Sequence, residues 1–240
     1  HIIFQSVSSV EYFKDYQILN NKKVFSMLMF IPAAIPPMPE IDESMLTEIE
    51  YGPPTEDGSH PWEMKKLVEQ RLAKDYQDDY SYRDIVQGFK ESNPDWMDWI
   101  NYLPYDEWIN VKIHRQHRHQ GVPVHVDLLQ PGRDLDHYHH LHFNEPAGYR
   151  IIMKGALKNV TYIWDENKEK AYCNMPEDES TNTYLMNYTT AMHGVDPDKG
   201  RDIMFFQFTL DIDKHHQIIQ ESVKKYSDYA VRVDLDSKYG

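Results

Sequence analysis

Cysteine is almost absent from this chain, and long apolar runs are missing as well. The single thiol, Cys173, cannot form a disulfide within the 240 residues. A lone cysteine favours a reducing compartment, so we expect a cytoplasmic protein. No stretch of 18 consecutive apolar residues occurs, and the mean hydropathy is −0.71. These two properties exclude a membrane-spanning helix and predict a protein that does not act in a membrane.

Positive charge is scarce too. Lys and Arg number 25 against 39 Asp and Glu, which gives a formal net charge of −14 at pH 7. Nucleic-acid-binding proteins obtain much of their affinity from phosphate contacts with a basic surface. We therefore do not expect a nucleic-acid substrate, and the predicted partner is a small molecule or a peptide.

One dense cationic stretch, residues 112–119, departs from this acidic background. On a strand, alternate residues of the stretch would share one face, namely Lys112, His114, Gln116 and Arg118. That face could bind an anion. Charged runs of this kind more often lie on a solvated edge strand, where they discourage pairing with another chain, and we favour that second interpretation.

No Gly/Ser-rich linker or shift in composition divides the chain, so a single domain over residues 1–240 is predicted. Its β-rich core spans about 108–211, and helical support is predicted over about 40–100. A helix is expected from Ser59, a possible N-cap, through Tyr76, and a second from Tyr82 to Lys90. Prolines at 32, 36, 37 and 39 make residues 31–39 irregular, either as a rigid wall or as a mobile loop near the site.

A close pair of residues and a distant third have the most chemical content, namely His125 and Asp127 with His193. Two imidazoles and one carboxylate can occupy one face of a non-haem Fe(II) ion and leave the opposite face open to substrate and dioxygen. On a strand, His125 and Asp127 point to the same side, about 7 Å apart, and can therefore share a metal. Arg201, eight residues after His193, indicates a bound carboxylate.

The H-x-D pair alone is a weak signal, because a chain with 13 His and many Asp contains about one such pair by chance. The combined pattern is more specific. His125 and His193 lie at the ends of predicted strands, and Arg201 opens an apolar segment that reads as a further strand. We therefore predict that His125, Asp127 and His193 bind one metal ion.

From about Trp108 to Asp211 the chain resembles the double-stranded β-helix (jelly-roll, cupin-like) core of the Fe(II)/2-oxoglutarate-dependent dioxygenases, which include the prolyl and aspartyl hydroxylases. In these enzymes the H-x-D motif ends the second strand, the distal His lies on the seventh, and a basic residue opening the eighth pairs with the C5 carboxylate of 2-oxoglutarate. The matching positions are His125, Asp127, His193 and Arg201. The eight family strands align with residues 109–114, 122–125, 149–154, 160–164, 171–175, 183–188, 190–193 and 201–210, with a polar turn over 165–170.

The resemblance implies a mainly β fold with flanking helices and a specific activity. That activity is a dioxygenase reaction dependent on Fe(II) and 2-oxoglutarate, which hydroxylates a C–H bond of a small molecule, amino acid or peptidyl side chain and releases succinate and CO2. The carboxylate of Asp127 favours hydroxylation, because related halogenases lack this ligand. A cupin-like metal- or ligand-binding barrel without oxidative turnover is the alternative. The substrate and the oligomeric state stay open.

Several further residues have more than one interpretation. Arg150 alternates with Tyr149 on a predicted strand. An inward Arg150 would need an anion, such as a substrate or cosubstrate carboxylate, whereas an outward Arg150 would be a charged strand edge, which we favour. Tyr188, Asn187 and Trp164 are candidates to line a pocket. The His-rich segment 136–145 could ligate a metal, contact substrate as a loop over the site, or be a solvated loop.

Overall fold

Strands dominate the computed structural model, in which two antiparallel sheets face each other and helices cover the larger sheet. The structure describes residues 14–19, 22–46, 48–50, 63–66, 85–116, 121–126, 145–165, 167–197 and 200–235. Within these ranges there are three α-helices, α1 (Gln87–Ser92), α2 (Pro94–Trp99) and α3 (Ile212–Tyr226). None of the helices in this part of the chain is long and apolar enough to cross a membrane.

Thirteen strands lie in the same described ranges. They are β1 (Lys14–Leu19), β2 (Lys22–Pro32), β3 (Glu48–Glu50), β4 (Glu63–Lys66), β5 (Tyr105–Gln116), β6 (Val122–His125), β7 (Gly148–Gly155), β8 (Thr161–Trp164), β9 (Lys170–Tyr172), β10 (Thr183–Met186), β11 (His193–Val195), β12 (Arg201–Leu210) and β13 (Val231–Leu235).

The strand order identifies the architecture. The larger sheet runs β1-β2-β10-β7-β12-β5-β4-β3, with β13 paired to β2, and the smaller sheet runs β6-β11-β8-β9. The eight strands β5 to β12 therefore place β5, β7, β10 and β12 in one sheet and β6, β8, β9 and β11 in the other. This order is that of a double-stranded β-helix, so the predicted mainly β, jelly-roll fold with flanking helices is confirmed.

The larger sheet separates two environments, because successive side chains of a strand point to opposite faces. On β7, Tyr149 and Ile151 belong to the core that packs against the helices, whereas Ile152 packs toward the smaller sheet. Trp96 of α2 is fully buried on the helix-covered side, where it meets Phe206 of β12 in a stacked arrangement with ring centroids 6.4 Å apart. Burial of large apolar side chains of this kind stabilises the fold by about 1.5–3 kcal/mol each.

Helix α3 has a clear start and a clear buried face. Asp211 caps its N-terminus, since its side chain accepts a hydrogen bond from the Lys214 backbone N–H at 3.1 Å. The buried residues of the helix recur every three or four positions, at 215, 218, 219, 222 and 226. This spacing places them on one stripe, and the stripe packs on the larger sheet.

Each of the eight predicted core strands has a counterpart in the structure, and the predicted seventh strand overlaps its counterpart at His193 alone. Residues 190–193 were expected to be extended, but β11 begins at His193. A turn precedes it, in which the Ala191 N–H donates to the Asn187 carbonyl at 3.0 Å. The Asn187 side-chain oxygen accepts from the Thr190 N–H, also at 3.0 Å. His193 therefore starts its strand directly after a fixed turn.

The helical prediction for the N-terminal part of the chain is wrong at residues 63–66, and it is met in part by α1 and α2. Residues 63–66 form β4, which pairs with β5 in the register Lys65↔Ile113. The predicted helix from Tyr82 to Lys90 is α1, which instead spans Gln87–Ser92, and α2 follows with Pro94 at its first position. The remainder of the Ser59–Tyr76 prediction lies outside the described residues.

The proline-rich segment is a fixed part of the helix-covered core. The Ala34 N–H donates to Ser222 Oγ of α3 at 2.8 Å, and the Met38 N–H donates to Asn182 Oδ1 at 2.8 Å. The indole N–H of Trp99 donates to the Pro36 carbonyl at 2.8 Å. Of the two interpretations of this segment, the structure supports a rigid wall, on the side of the sheet that the helices cover.

Candidate functional site

A pocket of about 280 Å³ opens between the two sheets, on the inner face of the larger one. Basic and hydroxyl side chains make up much of its wall, and among the wall residues that the structure describes there is no Asp or Glu. A wall of this composition favours an anionic ligand. The basic members are Lys112, His114, His125, Arg150, His193 and Arg201.

The two predicted ligand histidines are neighbours across a strand pair of the smaller sheet. His125 ends β6, His193 begins β11, and the two are register partners. Their ring centroids are 4.4 Å apart. His193 is buried and His125 is half-buried. Strand pairing therefore brings together two imidazoles that are 68 positions apart in the chain.

Backbone carbonyls orient both rings. His125 Nδ1 lies 2.8 Å from the Pro123 carbonyl oxygen, and His193 Nδ1 lies 2.9 Å from that of Ala191. Because a carbonyl oxygen can only accept, Nδ1 must donate its hydrogen in each case. A neutral ring then has its lone pair on Nε2, which is the arrangement that metal-ligating histidines adopt in proteins.

The third predicted ligand, Asp127, lies outside the described residues, as does the His-rich segment except Glu145. In the portion of the chain that the structure describes, no group of three or more His, Cys, Asp or Glu side chains could hold a metal ion. The described donor set consists of the two imidazoles. Metal binding by His125, Asp127 and His193 stays a prediction.

Arg201 opens β12, as expected, and is buried in the pocket wall. Its Nε donates to Gln116 Oε1 at 3.1 Å, and Nη1 donates to Thr161 Oγ1 at 2.8 Å. These contacts fix the guanidinium plane before any ligand arrives. Burial lowers the pKa of Arg201 from its ordinary value. A buried cation of this kind is stabilised by an anionic partner.

The close approach of Arg201 depends on a glycine. Gly155 pairs with Arg201 across β7 and β12, and it has φ of +102°, a conformation that side chains other than glycine rarely adopt. A Cβ atom at this position would lie 2.4 Å from the Gly200 carbonyl oxygen and 2.8 Å from Arg201 Cα. Gly155 therefore permits the backbone contact that brings the arginine into the pocket.

The distance from Arg201 to the histidines follows from the register. His193 pairs with Ile163 of β8, and Val195 pairs with Thr161, which accepts the hydrogen bond from Arg201. Thr161 and Ile163 are two residues apart, so the arginine contacts the smaller sheet about 7 Å along the strand from the histidine pair. An extended five-carbon diacid can reach across this interval.

Arg150 lies inside the pocket, so the outward-facing interpretation is wrong. Only 6% of the residue is exposed. Its Nη1 donates to the Tyr149 carbonyl at 2.9 Å, and its Cζ lies 3.9 Å from the Phe205 ring centroid and 4.3 Å from that of Tyr188. The sequence left the direction open because alternation shows which residues share a face but not which face is covered.

The solvated-edge interpretation of residues 112–119 is also wrong where they are described. Strand β5 lies between β12 and β4, and its Lys112 and His114 line the pocket. Gln116, on the same face, is buried against Arg201. Burial, followed by the charges of Lys112 and Arg150, lowers the pKa of His114 to about 3. His114 is therefore a neutral imidazole, and Arg118 lies outside the described residues.

Of the three candidates to line a pocket, Tyr188 does so, whereas Trp164 and Asn187 do not. Asn187 instead supports the turn before His193. Thr161, Tyr184 and Phe205 line the pocket and were not singled out from the sequence. Alternation was the available signal, because Thr161 lies two residues before Ile163 on β8, and Phe205 lies four residues after Arg201 on β12.

Comparisons with known proteins add distant structural similarity. No protein-family model matches the chain, and no curated protein matches it. Among solved structures, the chain is similar to an oxidoreductase of the 2OG-Fe(II) oxygenase family from Burkholderia pseudomallei. The similarity covers 70% of this chain and 75% of that one, with 10% identity and a TM-score of 0.40. Strand order alone establishes the double-stranded β-helix fold.

Proposed function

We propose that this protein is a non-haem Fe(II)- and 2-oxoglutarate-dependent dioxygenase that hydroxylates a C–H bond of a small molecule or peptidyl side chain. In the proposed site, His125 and His193 hold the metal through Nε2, Asp127 is the third ligand, and Arg201 binds the C5 carboxylate of 2-oxoglutarate. The donor set fits Fe(II), for which two histidines and one carboxylate are a known protein ligand combination.

One observation is the main support for this proposal. The histidine pair, which backbone carbonyls orient, lies in one pocket with Arg201. Arg201 contacts the smaller sheet at Thr161, which is two residues along β8 from Ile163, the strand partner of His193. A 2-oxo acid needs a metal for its oxo and C1 carboxylate oxygens and a cation for its far carboxylate. The pocket has a histidine pair suited to holding the metal and a guanidinium suited to the far carboxylate, at a spacing that such a molecule can bridge. The described wall residues add no competing carboxylate.

When bound, Fe(II) would supply the oxidative step, in which 2-oxoglutarate and dioxygen become succinate and CO2 while one oxygen atom enters a substrate C–H bond. The protein's own residues bind, orient and shield. The Arg201 fork forms paired hydrogen bonds with a carboxylate, and its contacts with Gln116 and Thr161 reduce the freedom lost on binding. Ile203 and Phe205 line the adjacent wall with apolar surface.

Metal content is the direct test of the ligand assignment. After anaerobic reconstitution with Fe(II), we expect one iron per wild-type chain and little iron in His193→Ala. His216→Ala is the matched control, because His216 lies on α3, within 3.3 Å of Glu145 and outside the pocket wall. Full iron content in His193→Ala, together with iron loss on changes at His137–His142, would show that the assignment is wrong.

Turnover separates the proposed enzyme from the alternative, a cupin-like binding barrel. Succinate release that requires both Fe(II) and 2-oxoglutarate is expected from the enzyme, whereas a binding barrel releases none. Asp127→Ala should abolish this release by weakening iron binding, and Asp127→Glu should keep part of the iron in poorer geometry. Unchanged succinate release in Asp127→Ala would show that this carboxylate is not a ligand.

A further inference from the structure

The pocket contains a second buried arginine that the proposed chemistry does not use. Arg201 and Phe205 face the pocket on β12 four residues apart, which is about 13 Å along the strand. Arg150 pairs with Phe205 in the β7–β12 register and contacts its ring. The pocket therefore has two separate guanidinium groups, that of Arg201 and, four residues along β12 beside Phe205, that of Arg150.

Only some of the hydrogen-bond donors of the Arg150 guanidinium have an acceptor among the described residues. Nη1 of Arg150 donates to the Tyr149 carbonyl, and its other acceptor, the Phe206 carbonyl, is 3.5 Å away. Nε is buried and has no hydrogen-bond partner among the described residues. Burying a charged donor without a partner is costly, so a ligand that supplies an anion at this position would be bound strongly.

The aromatic contacts of Arg150 also relate it to the histidine pair. The Tyr188 ring lies 4.3 Å from Arg150 Cζ and meets the His193 ring edge-on, with centroids 5.0 Å apart. The Tyr188 ring therefore contacts both the guanidinium and a proposed metal ligand. A small anion bound at Arg150 would occupy the same pocket as the histidine pair.

We propose that Arg150 binds the carboxylate of the substrate, so that the compound hydroxylated is a small carboxylic acid such as a free amino acid. The inference rests on the proposed function, because it assigns Arg201 to the cosubstrate and leaves Arg150 for the substrate. The planar fork of arginine suits a carboxylate. Contacts with Phe205 and Tyr188 hold that plane in place by cation–π attraction.

Binding of carboxylates to protein saturated with 2-oxoglutarate tests this assignment. Protein loaded with Mn(II) in place of Fe(II) is saturated with 2-oxoglutarate and titrated calorimetrically with the twenty L-amino acids and with short-chain mono- and dicarboxylic acids. Each acid is compared with its amide. We expect at least one acid to bind, its amide to bind at least roughly 30-fold more weakly, and Arg150→Gln to weaken the acid by a similar factor.

Two further variants protect the test from a folding artefact. Arg150→Lys keeps the positive charge and should retain more acid binding than Arg150→Gln. Arg115→Gln is the matched control, because Arg115 pairs with Asp202 and lies on the same face of β5 as Val111 and Ile113, which belong to the helix-covered core. Its acid binding should equal that of the wild type, and the melting temperature of each variant is measured alongside.

Three results would overturn the assignment. They are equal binding of acids and amides, absence of binding by any acid, and loss of 2-oxoglutarate affinity in Arg150→Gln with retention in Arg201→Gln. The last result would make Arg150 the cosubstrate anchor. Failure of this assignment can be told apart from failure of the proposed function. If the proposed function is wrong, the Mn(II)-loaded wild type does not bind 2-oxoglutarate. Acid binding that depends on Arg150 is measured separately, on metal-free protein.

Discussion

The two faces of the larger sheet have opposite chemistry although the same strands supply both. On the helix-covered face, Tyr149, Met204 and Phe206 pack with Trp96 and its neighbours into an apolar core. On the inner face, the neighbouring residues Arg150, Ile203 and Phe205 line the pocket. A shift in strand register by one residue would exchange the two sets, so the packing of the covered face fixes which residues reach the ligand.

This contrast separates stability from binding. The covered face contributes mainly apolar burial, and the inner face contributes oriented charges that need a ligand. Substitutions on the covered face should lower the free energy of unfolding and leave ligand affinity nearly intact. Substitutions on the inner face should change affinity more than stability.

The largest effect is expected from Trp96→Ala on the covered face. The variant removes a fully buried ring that meets Phe89 edge-on at 5.0 Å, so it should lower the free energy of unfolding by about 3–5 kcal/mol. Urea denaturation measures the change. Tyr102→Ala, at an exposed position, is the control and should stay within about 0.5 kcal/mol of the wild type. Loss of ligand binding without loss of stability in Trp96→Ala would refute the separation.

Arg201→Ala should have the next largest effect, which we expect on the binding of 2-oxoglutarate. Loss of a buried charge-assisted pair costs about 2–5 kcal/mol, so the dissociation constant for 2-oxoglutarate should rise roughly 30-fold or more. Iron content should stay near that of the wild type. Calorimetric titration with 2-oxoglutarate measures the dissociation constant of Arg201→Ala and of Arg150→Ala. Unaltered 2-oxoglutarate affinity in Arg201→Ala, with a collapse in Arg150→Ala, would move the anchor to β7.

Gly148→Ala should perturb both faces moderately, because Gly148 opens the strand that carries Tyr149 and Arg150. A Cβ atom there would lie 2.3 Å from Tyr188 Cδ2, so the Tyr188 ring must move away from Arg150. We expect a loss of about 1–3 kcal/mol and a changed near-ultraviolet circular dichroism spectrum. Gly88→Ala is the control, since its new Cβ would meet the flexible Met45 side chain at 3.2 Å. An unchanged spectrum in Gly148→Ala would contradict the packing described.

The smallest effect concerns pH and the neutral imidazole of the inner face. His114 has a pKa of about 3 when folded against an ordinary value of 6.5. Between these values the unfolded chain binds one more proton than the folded chain, so stability falls as pH falls from 6.5 toward 3. The slope from this residue is at most about 1.4 kcal/mol per pH unit. Urea denaturation at pH 7 and pH 5 should show a weaker pH dependence in His114→Phe, and equal dependence would show that His114 does not titrate this way.

The core strands were predictable from the sequence because alternation and turn residues mark them locally. Strands β6 and β12 have the predicted bounds, and His125 ends β6 and Arg201 opens β12 as the pattern predicted, whereas His193 begins its strand instead of ending one. Helix α3 also has local signals that the prediction did not use, namely the Asp211 cap and apolar residues at helical spacing.

Other features could not be read from local patterns. The Glu63–Lys66 strand has no strong strand signal of its own and is extended because β5 offers it an edge. The inward direction of Arg150 depends on the helices that cover the opposite face of β7. The partners of Arg201, Gln116 and Thr161, come from strands 85 and 40 positions earlier in the chain. Such relations are set by tertiary packing.

The histidine pair belongs to the smaller sheet, and both arginines belong to the larger one. A molecule held at the same time by the histidine side and by Arg201 would act as a non-covalent cross-link between the two halves of the sandwich. Occupancy of the pocket and cohesion of the halves are then thermodynamically linked, and a ligand at a hundred times its dissociation constant adds about 2.7 kcal/mol to the free energy of unfolding. The groups that select the ligand thus also govern how firmly the two sheets stay together.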